Sequence, residues 1–118
     1  MNFYEGHTAV VNSLSTSPTR LLSGSWDATA RLWDVNVGTC VKILSDDKHT
    51  HAVTAAFTPM NIVTGSQNGN INLWSLEGNY IKTFKAHDDI VRQISVIPDL
   101  GFISCSNDYT LKLWSFDG

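Results

Sequence analysis

Three segments of this chain are variants of one phrase: LLSGSWDATARLW from Leu21 to Trp33, IVTGSQNGNINLW from Ile62 to Trp74, and FISCSNDYTLKLW from Phe102 to Trp114. The tryptophans that close them lie 41 and 40 residues apart. A period of this length restricts the fold more than any other feature. Each copy must adopt the same supersecondary unit and bury its faces against its neighbours. Further positions recur in register. Asp27, Asn68 and Asp108 each stand six residues before their Trp, and Ser23, Thr64 and Ser104 four residues before that Asp or Asn. His7, His49 and His87 precede the same tryptophans by 26, 25 and 27 residues.

Between these landmarks, apolar and polar residues alternate in short runs bounded by turn residues, the pattern of half-buried strands. Four strands are expected at 10–16, 21–25, 29–33 and 39–44, four more at 52–58, 61–66, 70–74 and 79–84, and three at 90–97, 102–106 and 110–114. Turn signals separate them at Ser17-Pro18, Asp27-Ala28, Thr58-Pro59, Asn68-Gly69, Glu77-Gly78 and Pro98-Asp99. No run carries a helical period, so the expected class is all-β. The segment before Gly6-His7 (NFY) occupies the place that KTF (82–84) holds before Ala86-His87. The chain is therefore phased as strand D followed by A, B and C, three times over. The expected units are 5–44, 45–84 and 85–118, the last completed by a D strand of the kind at 1–4.

Composition excludes several function classes. A net charge of -3 without a basic run argues against nucleic acid, which needs clustered Lys and Arg. No apolar run is long enough for a membrane-spanning helix, and MNFYEGHT lacks the basic start and apolar stretch of a signal peptide. Cys40 and Cys105 fit neither a zinc spacing nor a small disulfide framework, which points to a reducing compartment, cytoplasmic or nuclear. His49 and His51 have no further ligand at useful spacing, so no metal site and no cofactor are expected.

With Gly6-His7, Trp33-Asp34 and the forty-residue period in place, the chain resembles a WD-repeat β-propeller, in which each repeat makes one four-stranded blade. The resemblance implies a His, Ser or Thr, Asp and Trp tetrad in each blade. By position these are His7, Ser23, Asp27 and Trp33; His49, Thr64, Asn68 and Trp74; and His87, Ser104, Asp108 and Trp114. The residue types suit a closed network. A buried carboxylate needs donors, an imidazole donates on one side and accepts on the other, and a hydroxyl does both. His, Ser and Asp also make hydrolase triads, but these sets recur with the repeat and none sits in a Gly-x-Ser-x-Gly turn. They are read as architecture, and no catalytic residue is expected. In the second set Asn68 replaces the carboxylate, so that tetrad is expected to be the weakest.

By the same resemblance, partners bind the face that carries the D-to-A and B-to-C loops. The residues implied there are Val10, Asn12 and Trp26 in the first blade, Ala52, Thr54 and Gln67 in the second, and Ile90, Arg92 and Asn107 in the third. Trp26 and Arg92 are of the types most often found as interface anchors. The phrases SGSWDATARLW and DDIVRQISVIPDLGFISCSND are similar to the propeller of the phospholipase-activating-protein family, the ubiquitin-binding cofactors of the AAA segregase. That likeness implies a non-catalytic module that binds ubiquitin in ubiquitin-dependent protein turnover. The alternative is a generic scaffold or a ubiquitin-ligase substrate adaptor. The Trp-Asp-x-Arg of many such adaptors is absent, since Trp33-Asp34 is followed by Val35 and Asn36. Three blades cannot close a ring. The expectation is either part of a seven- or eight-bladed propeller, or a homodimer closing a six-bladed ring by exchange of D strands.

Overall fold

In a computed structural model the chain is described over residues 3–45 and 53–118. Strands β1 (Val11–Thr16), β2 (Arg20–Ser25), β3 (Ala30–Asp34) and β4 (Cys40–Leu44) form one antiparallel meander. A second is made of β5 (Thr54–Phe57), β6 (Ile62–Gly65), β7 (Asn70–Trp74) and β8 (Tyr80–Lys85). The third sheet has three strands, β9 (Val91–Ile97), β10 (Gly101–Ser106) and β11 (Leu111–Trp114). Strand ends agree with the sequence expectation to within a residue or two, the ordinary scatter of such boundaries.

The sheets stack in sequence order and share two cores. Leu22, Leu32 and Leu44 of the first sheet pack on Ala55, Ile62 and Trp74 of the second. Ala56, Val63, Ile71 and Leu73 on the other side of the second sheet pack on Val91, Ile94 and Phe102 of the third. Adjacent residues such as Ile62 and Val63, or Leu73 and Trp74, thus serve opposite cores, because a strand directs successive side chains to opposite faces. The second sheet is covered on both sides. The outer faces of the first and third stand open, with Leu14, Val41 and Ile43 exposed on one and Leu111 and Leu113 on the other.

Hydrogen bonds tie the sheets together at their inner strands. The Val53 N–H donates to Ser25 O (2.9 Å) and the Val91 N–H to Ser66 O (3.1 Å). Ser13 Oγ accepts from the Ala55 N–H (3.1 Å) and Ser15 Oγ from the Phe57 N–H (3.0 Å). This approach needs Gly24, since a β-carbon there would strike the backbone carbonyl of Val53.

The third sheet lacks the fourth strand expected of each blade, leaving β11 at its edge. Phe3 and Tyr4, expected within a D strand, belong to no ladder among the described residues. Tyr4 instead lies edge-on to Trp33, ring centroids 5.9 Å apart, and its hydroxyl donates to Val35 O (3.0 Å). Phe84, which also stands three residues before a tetrad histidine, packs on Trp114 with centroids 4.9 Å apart.

Candidate functional site

The tetrads are built where the loop before strand A folds over the B–C hairpin. In the first sheet, His7 Nδ1 donates to Asp27 Oδ2 (2.8 Å) and His7 Nε2 meets Ser23 Oγ (2.6 Å). The Trp33 indole N–H donates to the same Ser23 Oγ (2.8 Å). A neutral imidazole protonated at Nδ1 satisfies every partner, because Ser23 then donates to Nε2 and accepts from Trp33. The third sheet repeats this with His87 to Asp108 (3.0 Å), His87 to Ser104 (2.7 Å) and Trp114 to Ser104 (2.9 Å).

The aspartates also organise the turns that carry them. Asp27 accepts from the Thr8 N–H (3.1 Å), the Thr29 N–H (2.9 Å) and the Thr29 hydroxyl (2.5 Å). Burial works against its ionisation, but the hydrogen bonds from the Thr29 hydroxyl, His7 and the backbone of Thr8 and Thr29 outweigh it, lowering the carboxyl to about 2. At Asp108 the Thr110 hydroxyl is the largest influence; burial opposes it, and the Asp88 N–H, His87 and the Thr110 N–H add to it, so the carboxyl lies well below its usual range. Ala28 and Tyr109, which follow these aspartates, both adopt φ of 72°. Asp and Asn turn chemistry supports that left-handed position.

The second tetrad is described in part, because His49 falls outside the described residues. Trp74 donates to Thr64 Oγ1 (2.9 Å), as its counterparts do to serine. Asn68 Oδ1 accepts from the Asn70 N–H (3.0 Å), as the carboxylates of the other sheets do from Thr29 and Thr110. It also accepts from the Ser66 hydroxyl (2.6 Å), whose counterparts Ser25 and Ser106 instead accept from the aspartate N–H. Gly69 supplies the left-handed residue with φ of 85°, and its carbonyl accepts from both Ala86 N–H and His87 N–H (3.0 Å each). A β-carbon at Gly69 would meet the His87 carbonyl, so this glycine lets the second sheet's turn seat the third sheet's tetrad.

Ser23 and Ser104 are 3% and 0% exposed, and each hydroxyl is engaged by a histidine and a tryptophan. A nucleophile needs access to its substrate, and these have none. Their arrangement holds the sheets. Among the described residues, no group of three or more His, Cys, Asp or Glu side chains could hold a metal ion.

The implied partner face is largely assembled. Val10 O accepts from the Trp26 N–H (2.9 Å), and Ile90 O from the Asn107 N–H (3.4 Å), so each strand-A start adjoins its B–C turn. Val10 and Trp26 are 54% and 52% exposed; Gln67, Asn107, Asn12 and Arg92 are exposed and Ile90 is half-buried. Ala52 lies outside the described residues, as does His51.

Thr54 departs from the expectation, being only 4% exposed. The cause is a one-residue difference between the inner strands. In β1, Val11 pairs with Ser25 and Ser13 with Gly24, which leaves Asn12 as an extra, bulged residue. In β9, Val91 pairs with Ser106 and Gln93 with Cys105, which leaves Arg92 bulged in the same way. In β5, Thr54 pairs directly with Gly65 and the ladder continues without a bulge. Thr54 therefore corresponds to Ser13 and Gln93 rather than to Asn12 and Arg92, and it packs inward.

All three implied second positions nonetheless line one groove of about 350 Å³, which also draws in Ser13, Leu14, Ala55, Gln93 and Ile94. Those additional residues had no signal in the sequence. The spacing from histidine to valine is four residues in every repeat and hides the bulges. The histidine-to-tryptophan interval, 25 residues in the second repeat against 26 and 27, carries the missing residue without placing it.

Comparisons with known proteins agree with this geometry. The family model "WD domain, G-beta repeat" matches residues 1–34, 38–75 and 78–115. Protein DOA1 of Saccharomyces cerevisiae is 39% identical over 116 residues, which is 92% of this chain and 15% of that protein. Nuclear distribution protein PAC1 of Arthroderma otae is 29% identical over 137 residues, covering 93% of this chain and 30% of that one. The solved WD40 β-propeller domain of Doa1 superposes with a TM-score of 0.84 at 37% identity, over 97% of this chain and 38% of that structure. The chain thus spans less than a third of the length of these curated relatives.

Proposed function

On the premise that this chain belongs to the WD domain, G-beta repeat family, we propose that it is a non-catalytic, ubiquitin-binding module acting in ubiquitin-dependent protein turnover in the cytoplasm or nucleus. The observation that carries the proposal is the exposure of Trp26, whose backbone bonds to the equally exposed Val10, at the join of a strand-A start and a B–C turn. A half-exposed indole beside an exposed valine has the composition of an interface anchor, and affinity depends on such anchors more than on area. The likeness to Doa1 supports ubiquitin as the partner. Titrating ubiquitin into isotope-labelled protein tests this: the Trp26 indole and the backbone signals around Val10 and Ile90 shift, and Trp26→Ala removes the response without unfolding the chain. Unmoved signals at high ubiquitin concentration, with the fold intact, would refute it.

A second reading concerns assembly. A second copy, pairing its N-terminal segment along β11 and closing a six-bladed ring, would complete the third sheet. It is supported by the likeness of the Tyr4–Trp33 contact to the Phe84–Trp114 contact made by the last strand of the second sheet. Mass by light scattering decides it: a dimer that dissociates on shortening the segment before Gly6 is expected, and a well-folded monomer rules it out.

A further inference from the structure

Asn12 and Arg92 are the bulged residues of their inner strands, and both line the same groove. A bulge re-aims one side chain out of the ladder, and here it does so twice towards a common space. The two side chains are satisfied differently. With its amide nitrogen facing the two carbonyls, Asn12 donates to Gly24 O (2.9 Å) in its own sheet and Val53 O (3.0 Å) in the next, so its polar capacity serves the fold. Arg92 is exposed, and among the described residues its guanidinium joins no ion pair: the pairs are His7 with Asp27 and His87 with Asp108, and the cation over a ring is Lys82.

Among the described residues the rest of the groove is neutral. Ser13, Thr54 and Gln93 bring polar atoms, and Leu14, Ala55 and Ile94 bring apolar surface. Of the acidic residues nearest in sequence, Asp89 accepts from the Ile90 N–H (2.7 Å), and neither Asp88 nor Asp89 lines the groove. Among the described residues, the one ionic group that the groove offers a ligand is therefore a cation, within a protein whose net charge is -3.

We infer that this groove seats an acidic side chain of an extended segment of the protein partner, with the carboxylate held by the Arg92 guanidinium. The inference rests on the reading that this face binds a protein, and adds the chemistry by which it would choose one. A planar guanidinium presents two parallel N–H donors that match a carboxylate, and a concave wall limits the competing water. Because Arg92 is exposed, the contact governs orientation and choice of partner more than total affinity.

The test titrates a short polyglutamate peptide and its polyglutamine counterpart into the isotope-labelled chain, with ubiquitin as a parallel arm. Polyglutamate shifts the Arg92 Nε–H and Gln93 signals, the response fades with added salt, and Arg92→Gln weakens binding about tenfold or more at an unchanged melting temperature. Equal shifts from polyglutamine, shifts that survive Arg92→Gln, or a lowered melting temperature in that variant would overturn it, the last by making Arg92 a structural residue. If ubiquitin moves Trp26 while polyglutamate leaves Arg92 unmoved, the groove inference falls and the ubiquitin reading stands. The reverse pattern removes ubiquitin and keeps the groove.

Discussion

The first and second sheets follow the same chain path, yet they are held by different means. The second is buried on both faces, and its turn rests on the neutral Asn68 with Gly69. The first has one face open, and its turn is anchored by an ionised Asp27 that receives four hydrogen bonds. A polar chain also runs through the second sheet, where the Tyr80 hydroxyl meets Thr83, whose hydroxyl donates to the buried Asn72 (2.6 Å). At the matching positions the first and third sheets carry Arg31 and Lys112, and Lys112 donates to Ala86 O (2.6 Å). The same turn is thus held by a charged acceptor in the first sheet and by a neutral one in the second.

The largest expected effect separates packing on the two sheets. Ile71→Ala empties a fully buried site in the second sheet and should cost about 2–5 kcal/mol. Ile43→Ala, at a side chain 51% exposed in the first, should stay within about 0.5 kcal/mol. Chemical denaturation of both variants measures the difference, and similar costs would mean that the outer face of the first sheet is covered in solution.

The charged turn comes next. Asp27→Asn should destabilise by about 1–2 kcal/mol, since charge-assisted hydrogen bonds from His7, Thr29 and Thr8 become neutral ones. The pH dependence follows from the same group. Its folded carboxyl, about 2, lies below the ordinary value of 3.8, so its stabilisation is complete above the unfolded value and is lost as pH falls towards 2. The acid limb of a melting-temperature profile should be shallower in Asp27→Asn than in the parent; identical limbs would show that the carboxylate contributes nothing there.

The smallest effect is the converse exchange. Asn68→Asp places a carboxylate where the Ser66 hydroxyl and the Asn70 N–H already point at an acceptor, so stability should rise modestly or stay level at neutral pH. A marked fall in melting temperature would reveal a donor role of the amide that a carboxylate cannot fill.

The period of forty, the strand order, the turn residues and the members of the first and third tetrads were all legible in the sequence. These depend on spacing along the chain and on which side chains can satisfy one another. The exposure of Trp26 and Val10 followed from the same placement. The inner strands did not yield in this way. Asn12, Thr54 and Arg92 occupy one sequence position in three repeats, yet two are bulged out of their ladders and one is buried within its own. Whether a strand holds an extra residue is decided by its pairing with the next strand and by the sheet packed against it. Those non-local contacts also brought side chains from three repeats to one groove and left Arg92 as its only charge among the described residues.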